Sequence, residues 1–198
     1  GQRHLRNLFK TDKKIKFYAI RKKFTTPVLN NSNIPQKGNL KKKYDITYLS
    51  STKDLDKLKI NIDAAFICTP SKFHIDQAID LIKRNINIFV EKPLGLTVDE
   101  CIEVLQAVEK AQVLCTIGFN RRFSSLSIRL RDSLSNVTGP KQIIYRVNAG
   151  RLPQDHWLLD PEVGGGRLIG EGCHFFDFTN KRYIFYARLL IQFSKSCI

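Results

Sequence analysis

The sequence predicts an α/β fold, a doubly wound parallel sheet covered by helices. Three observations predict it. Apolar strand-like segments recur roughly two dozen residues apart. Each gap between them carries an amphipathic helix with a recognisable start. The strand segments are apolar on both faces, as a parallel sheet between helical layers requires.

The elements follow in order. Leu5, Leu8 and Phe9 lie at helical spacing, so residues 2–10 read as a helix, and IKFYAI (15–20) reads as a strand. Residues 22–44 are basic and polar, with two prolines, and read as a loop. DITYLS (45–50) is a strand, with a short helix at 53–59. DAAFIC (63–68) is an apolar strand broken by Thr69-Pro70, after which Ser71 is placed to cap the next helix. That helix, 72–84, carries Ile75, Ala78, Ile79 and Ile82 on one face. INIFV (86–90) is the next strand. Thr97 and Glu100 form a capping box for a helix to residue 111, which is expected to bury Val98, Ile102, Leu105 and Val108. VLCTIGF (113–119) is a further strand and 124–135 a helix. Gly139-Pro140 marks a boundary, after which KQIIYRVNAG (141–150) alternates like a strand that begins a second domain.

Composition narrows the function. The net charge is +15, but residues 1–43 carry +12 and residues 179–198 carry +4, leaving the central body near neutral. A nucleic-acid surface would show a basic stripe across that body, so no nucleic-acid partner is expected. No apolar run is long enough to span a bilayer, so no membrane partner is expected. The five cysteines form no CxxC pair and no zinc spacing; they read as reduced thiols of a cytoplasmic protein, with no metal.

In such a sheet, ligands bind beyond the carboxyl ends of the strands. The segments there are Thr69–His74, Glu91–Pro93 and Asn120–Arg122. A lysine at a strand end, such as Lys92, is placed to exchange a proton with a ligand hydroxyl. The segment 164–174 opens with three consecutive glycines and ends on His174, and Asp177 lies one helical turn further on, where it is expected to orient the imidazole.

The motifs TPSKFH (69–74), EKP (91–93), GFNRRF (118–123) and GGGRLIGEGCHFFD (164–177), in this order, resemble the Gfo/Idh/MocA oxidoreductases over residues 1–178. The resemblance implies a Rossmann-like doubly wound sheet over 1–138, with its first strand missing. It implies the start of a second α+β domain over 139–198. It implies hydride transfer between NAD or NADP and a hydroxyl or carbonyl of a sugar, nucleotide sugar or cyclitol. On this likeness Lys92 and His174 are catalytic. Gly1, as the last glycine of a GxGxxG, together with Arg21, Thr69, Pro70, His74, Glu91 and Lys92, binds the cofactor. Asn120, Arg121, Trp157, Glu171 and His174 bind substrate.

Three departures qualify the likeness. Family members often have Asp four residues before the His; here it is Gly170, and Glu171 is the expected substitute. The usual acid for the ribose hydroxyls is replaced by Arg21, which leans toward NADP. The chain opens on Gly without Met, and residues 179–198 leave the pattern, so a fragment with little activity is expected. The intact relative is expected to be a homo-oligomer acting on a small sugar-like molecule. The alternative is a non-catalytic ligand sensor on the same fold.

Overall fold

The computed structural model describes residues 1–21, 26–139 and 144–180. The chain begins with α1 (Gln2–Thr11) and β1 (Phe17–Ile20), followed by a hairpin of two-residue strands, β2 (Val28–Leu29) and β3 (Pro35–Gln36). Then come α2 (Leu40–Tyr44), β4 (Ile46–Leu49), α3 (Lys53–Lys57), β5 (Ala64–Ile67), α4 (His74–Lys83) and β6 (Asn87–Val90). The series closes with α5 (Val98–Ala111), β7 (Cys115–Ile117), α6 (Ser125–Leu134) and α7 (Cys173–Asn180).

The major strands pair in parallel, as expected. β1 lies beside β4, with Phe17 opposite Ile46. β5, β6 and β7 form a second ladder in that order, with Ile67 opposite Val90 and Val90 opposite Ile117. One apolar cluster reaches both ladders, while a second, of Val28, Leu40, Tyr44 and Ile46, packs against β1 and β4. Leu49 of β4 and Leu55 of α3 pack in the same cluster as Ile67, Ala78, Ile82, Ile88, Val90 and Val104.

The helix starts have local causes. At α5 the Thr97 hydroxyl accepts from the Glu100 amide, and the Glu100 carboxylate accepts from the Thr97 amide. Asn39 caps α2 and Ser124 caps α6, each through a side-chain oxygen that accepts from a first-turn amide. The helix at Leu40–Tyr44 and the hairpin before it lie within the stretch read as a loop; residues 22–25 of that stretch lie outside the described residues.

Other expectations are corrected. Ser71 does not cap α4: residues Ser71–Phe73 form a 3₁₀ turn with no side-chain cap, and Ser71 is buried. α5 turns a different face to the sheet. Val104 is buried there, with Ala107, Val108 and Ala111 beside it, whereas Val98 is 75% exposed and Ile102 and Leu105 are also exposed. β5 is open on one face, at Ala64 and Phe66. Residues 144–150 form no strand, and 141–143 lie outside the described residues.

Candidate active site

β6 ends at Val90 and delivers Glu91, Lys92 and Pro93 at the carboxyl end of the sheet; the Lys92–Pro93 peptide is cis. Lys92 Nζ donates to the Gly170 carbonyl at 2.5 Å, a contact between residues far apart in the chain. Gly170 belongs to a single wide turn, Leu168–Gly172, that runs directly into α7 and therefore into His174. Lys92 and the 164–174 segment are thus brought together, through backbone.

The surroundings of His174 disfavour its charged form. Burial lowers its pKa to about 4, and the positive charges of Lys92 and Arg121 act in the same sense. The imidazole is neutral at neutral pH. Its Nδ1 is buried without a hydrogen-bond partner among the described residues. A buried polar atom left unpaired is costly unless a ligand satisfies it.

Packing accounts for the glycines. A Cβ on Gly170 would lie 2.2 Å from Leu158 Cδ1, and one on Gly164 would lie 2.5 Å from Leu158 Cα. Leu158 sits in a 3₁₀ turn, Trp157–Leu159, and is buried. It wedges between the two glycines, which must lack side chains to admit it. Gly165 and Gly166, at φ +75° and +74°, supply the left-handed backbone that returns the chain.

The turn after β7, Asn120–Phe123, grips α7 on two sides. Arg121 stacks over the Phe175 ring at 4.8 Å and donates to the Tyr145 hydroxyl. Arg122 pairs bidentately with Asp177, through Nε at 2.9 Å and through Nη2. The Arg122 guanidinium also covers Phe119, whose ring meets His174 edge-on at 6.0 Å. This corrects the role expected for Asp177: it pairs with Arg122, not with His174, because an arginine fork offers two charge-assisted bonds. Glu171 likewise turns to Arg167, 3.1 Å from its Nε, and not to His174 or Lys92.

The remaining expected residues are placed as follows. Thr69 and Pro70 follow the end of β5, with Pro70 exposed and Thr69 donating to Gln77. His74 is 1% exposed, with Nδ1 2.7 Å from the Pro93 carbonyl and Nε2 2.9 Å from the Thr69 carbonyl. Its ring joins those two turns and is not free to meet a ligand. Gly1 opens α1, whose first turn holds Arg3 and no acid. A cleft of about 390 Å³ lies there, lined by Gly1, Gln2, Arg3, His4, Leu29, Asn33 and Glu91. His4 Nε2 lies 2.7 Å from Glu91 Oε1, and this bond holds the Glu91 carboxyl below its ordinary pKa. Arg21 follows β1, donates to Thr26 and lies over the Tyr48 ring at 5.8 Å. Asn120 opens the turn after β7, and Trp157 is exposed.

Arg122, Leu158, His4 and the Gly170 carbonyl are not among the expected site residues. The doubled arginine of GFNRRF is the visible signal for Arg122. Nothing local marks Leu158, because its partner glycines lie several residues downstream.

Comparison with known proteins identifies the family and the fold. The family described as an oxidoreductase family with an NAD-binding Rossmann fold (Gfo/Idh/MocA) matches residues 1–119. The chain is 32% identical over 124 residues to myo-inositol 2-dehydrogenase of Thermotoga maritima, covering 63% of this chain and 36% of that protein. It is 42% identical over 131 residues to scyllo-inositol 2-dehydrogenase (NAD(+)) of Bacillus subtilis, covering 65% of this chain and 36% of that protein. The chain therefore spans about a third of the length of these curated relatives. The WlbA (WbpB) dehydrogenase from Thermus thermophilus, solved with NAD and UDP-GlcNAcA, superimposes with a TM-score of 0.67 at 17% identity, over 89% of this chain and 57% of that one. At that identity the likeness is one of fold. With the family match extending over more than half its length, the chain belongs to the Gfo/Idh/MocA oxidoreductase family and has its NAD-binding Rossmann fold.

Proposed function

We propose that this chain is the cofactor-binding part, with the start of the substrate-binding part, of an NAD(P)-dependent oxidoreductase acting on a hydroxyl or carbonyl of a sugar, nucleotide sugar or cyclitol. Residues 1–138 form the first part and 139–198 begin the second. The single observation that carries the reading is the convergence of Lys92 on Gly170, beside a neutral His174 whose buried Nδ1 has no partner among the described residues.

The residues fit the cofactor. The first turn of α1 presents backbone amides and Arg3, with no acid, to the cleft that Glu91 also lines. Such a helix start favours a pyrophosphate. Glu91, Thr69 and Pro70, at the ends of neighbouring strands, are assigned to the same ligand. When bound, the nicotinamide donates or accepts the hydride. Lys92 Nζ holds the proton that the substrate oxygen gains or gives up. His174, neutral at working pH, offers a ring nitrogen to the same oxygen. Asn120, Arg121, Trp157 and Glu171 are assigned to the substrate side, Arg121 also fixing Phe175 of the helix that bears His174.

Arg21, at the end of β1 and with no acid in its observed contacts, supports a preference for NADP over NAD. The balanced charge of the central body supports a small-molecule substrate over nucleic acid. The four described cysteines, all free thiols, support a cytoplasmic setting. The complete protein is assigned as a homo-oligomer, on the family's resemblance alone.

The test has two stages. This chain is titrated with NADH and NADPH by fluorescence; binding of either supports the cofactor reading. Turnover of a panel of sugars and cyclitols is then measured in a full-length protein carrying this sequence. Lys92→Ala should lose turnover in that protein; unchanged turnover refutes the role of Lys92.

A further inference from the structure

Three side chains of different chemistry meet at the edge of the α1 cleft. β5 and β6 are neighbours in register, with Ile67 opposite Val90. The residues that follow each strand, Cys68 and Glu91, therefore emerge side by side. His4, in the first turn of α1, lies across them. Its ring packs 5.4 Å from Phe66 and 4.8 Å from Phe89, and these contacts aim Nε2 at the Glu91 carboxylate. The His4 nitrogen, the Cys68 sulfur and a Glu91 oxygen all lie within 4.8 Å of one another.

We propose that His4, Cys68 and Glu91 form a binding site for a divalent ion of borderline softness, of the zinc class. The donor set selects the class. A thiolate disfavours magnesium and calcium, which take oxygen ligands, and one sulfur, one imidazole and one carboxylate suit zinc or cobalt. Bonds of about 2.0–2.3 Å in a tetrahedron put donor atoms roughly 3.2–3.6 Å apart. The His4–Glu91 pair at 2.7 Å must open slightly, and no separation, all being within 4.8 Å, need close by more than about 1.2 Å, both within reach of side-chain rotation. Three protein ligands leave a fourth position, and the cleft lined by His4 and Glu91 gives it access to water or a small ligand. The sequence carries no metal signature here, because the ligands are spread over nearly ninety residues. The site stands on these contacts alone, but it shares Glu91 and the α1 cleft with the cofactor of the proposed function, so ion and dinucleotide would compete for it.

The competing account is a plain His4–Glu91 hydrogen bond with Cys68 as a small packing residue. The two accounts part on the thiol. Cobalt(II) is titrated into the full chain, reduced and acetylated at its N-terminus so that the Gly1 amine near Cys68 is not a ligand. The proposal expects one equivalent bound, a thiolate-to-cobalt charge-transfer band, and displacement by zinc. Cys68→Ser should abolish the band, and His4→Gln and Glu91→Gln should each weaken binding about tenfold or more, while Cys101→Ser leaves it intact. Because His4 variants also disturb packing, a second measurement uses the parent protein: zinc should shield Cys68, but not Cys101, from alkylation as read by mass spectrometry. Absence of the band, its survival in Cys68→Ser, or equal alkylation of Cys68 with and without zinc would overturn the proposal.

Discussion

Replacing Gly170 by alanine tests the wedge that sets Lys92 against the segment bearing His174. The new methyl would sit 2.2 Å from Leu158 Cδ1 and 3.0 Å from the Gly164 carbonyl. Leu158 is 6% exposed, so its side chain has little room to withdraw. Overpacking of this kind costs about 1–3 kcal/mol. A gain of about 0.4–1 kcal/mol, from lost freedom of the unfolded chain, opposes it. The expected result is a net loss of about 1–2 kcal/mol, measured by urea denaturation. Leu158→Ala alone should cost about 2–4 kcal/mol as a buried truncation. The informative variant is the double one. Once Leu158 is shortened, the methyl introduced by Gly170→Ala has space, so its penalty should vanish and a coupling of about 1 kcal/mol or more should appear. A Gly170→Ala protein as stable as its parent, or single effects that simply add, would refute the steric argument.

Three further predictions are independent of it. The His174 ring should titrate by NMR near pH 4, and a midpoint near the ordinary value of 6.5 would contradict its burial. Because the folded value is the lower one, the unfolded chain takes up the proton first; His174 stabilises the fold fully above about pH 6.5, and that contribution is lost as pH falls toward 4. Arg122→Gln strands Asp177, whose side chain is 10% exposed, and should cost about 2–3 kcal/mol, with Asp177→Asn in the same protein restoring part of it; an unchanged Tm would show that the pair is not holding α7. Thr97→Ala removes the α5 capping box and should cost about 1 kcal/mol in thermal or urea unfolding, whereas Thr97→Ser should cost little.

Much of the fold is legible in the sequence because it is local. The capping box at Thr97, the α4 face of Ile75, Ala78 and Ile82, and the apolar strands ending at Ile67 and Val90 are all written within a few residues. The α5 face is ambiguous because the helix carries two apolar stripes. Val98, Ile102 and Leu105 form one; Val104, Ala107 and Ala111 form the other, and only the sheet decides between them. The site shows the same limit. Lys92 and His174 are marked by their motifs. The partners of Asp177 and Glu171 are not, since proximity in sequence to His174 loses to arginines that fold against them. That a bare carbonyl at Gly170 receives Lys92 is invisible in any pattern of side chains.

The contacts that make the site differ in span from those that make the sheet. Each βα step closes a short stretch of chain. By contrast, Lys92 reaches Gly170 across 78 residues, Arg122 reaches Asp177 across 55, and His4 reaches Glu91 across 87. Closing long loops is entropically slower than propagating neighbouring units. By that measure the sheet core is expected to form before the site. In the native protein the reverse order is expected, with α7 and its grip on the turn after β7 opening while Val90, Ala78 and Ile82 stay buried, as amide exchange would show. The candidate site thus rests on contacts between distant parts of the chain, and the scaffold beneath it on contacts between neighbouring ones.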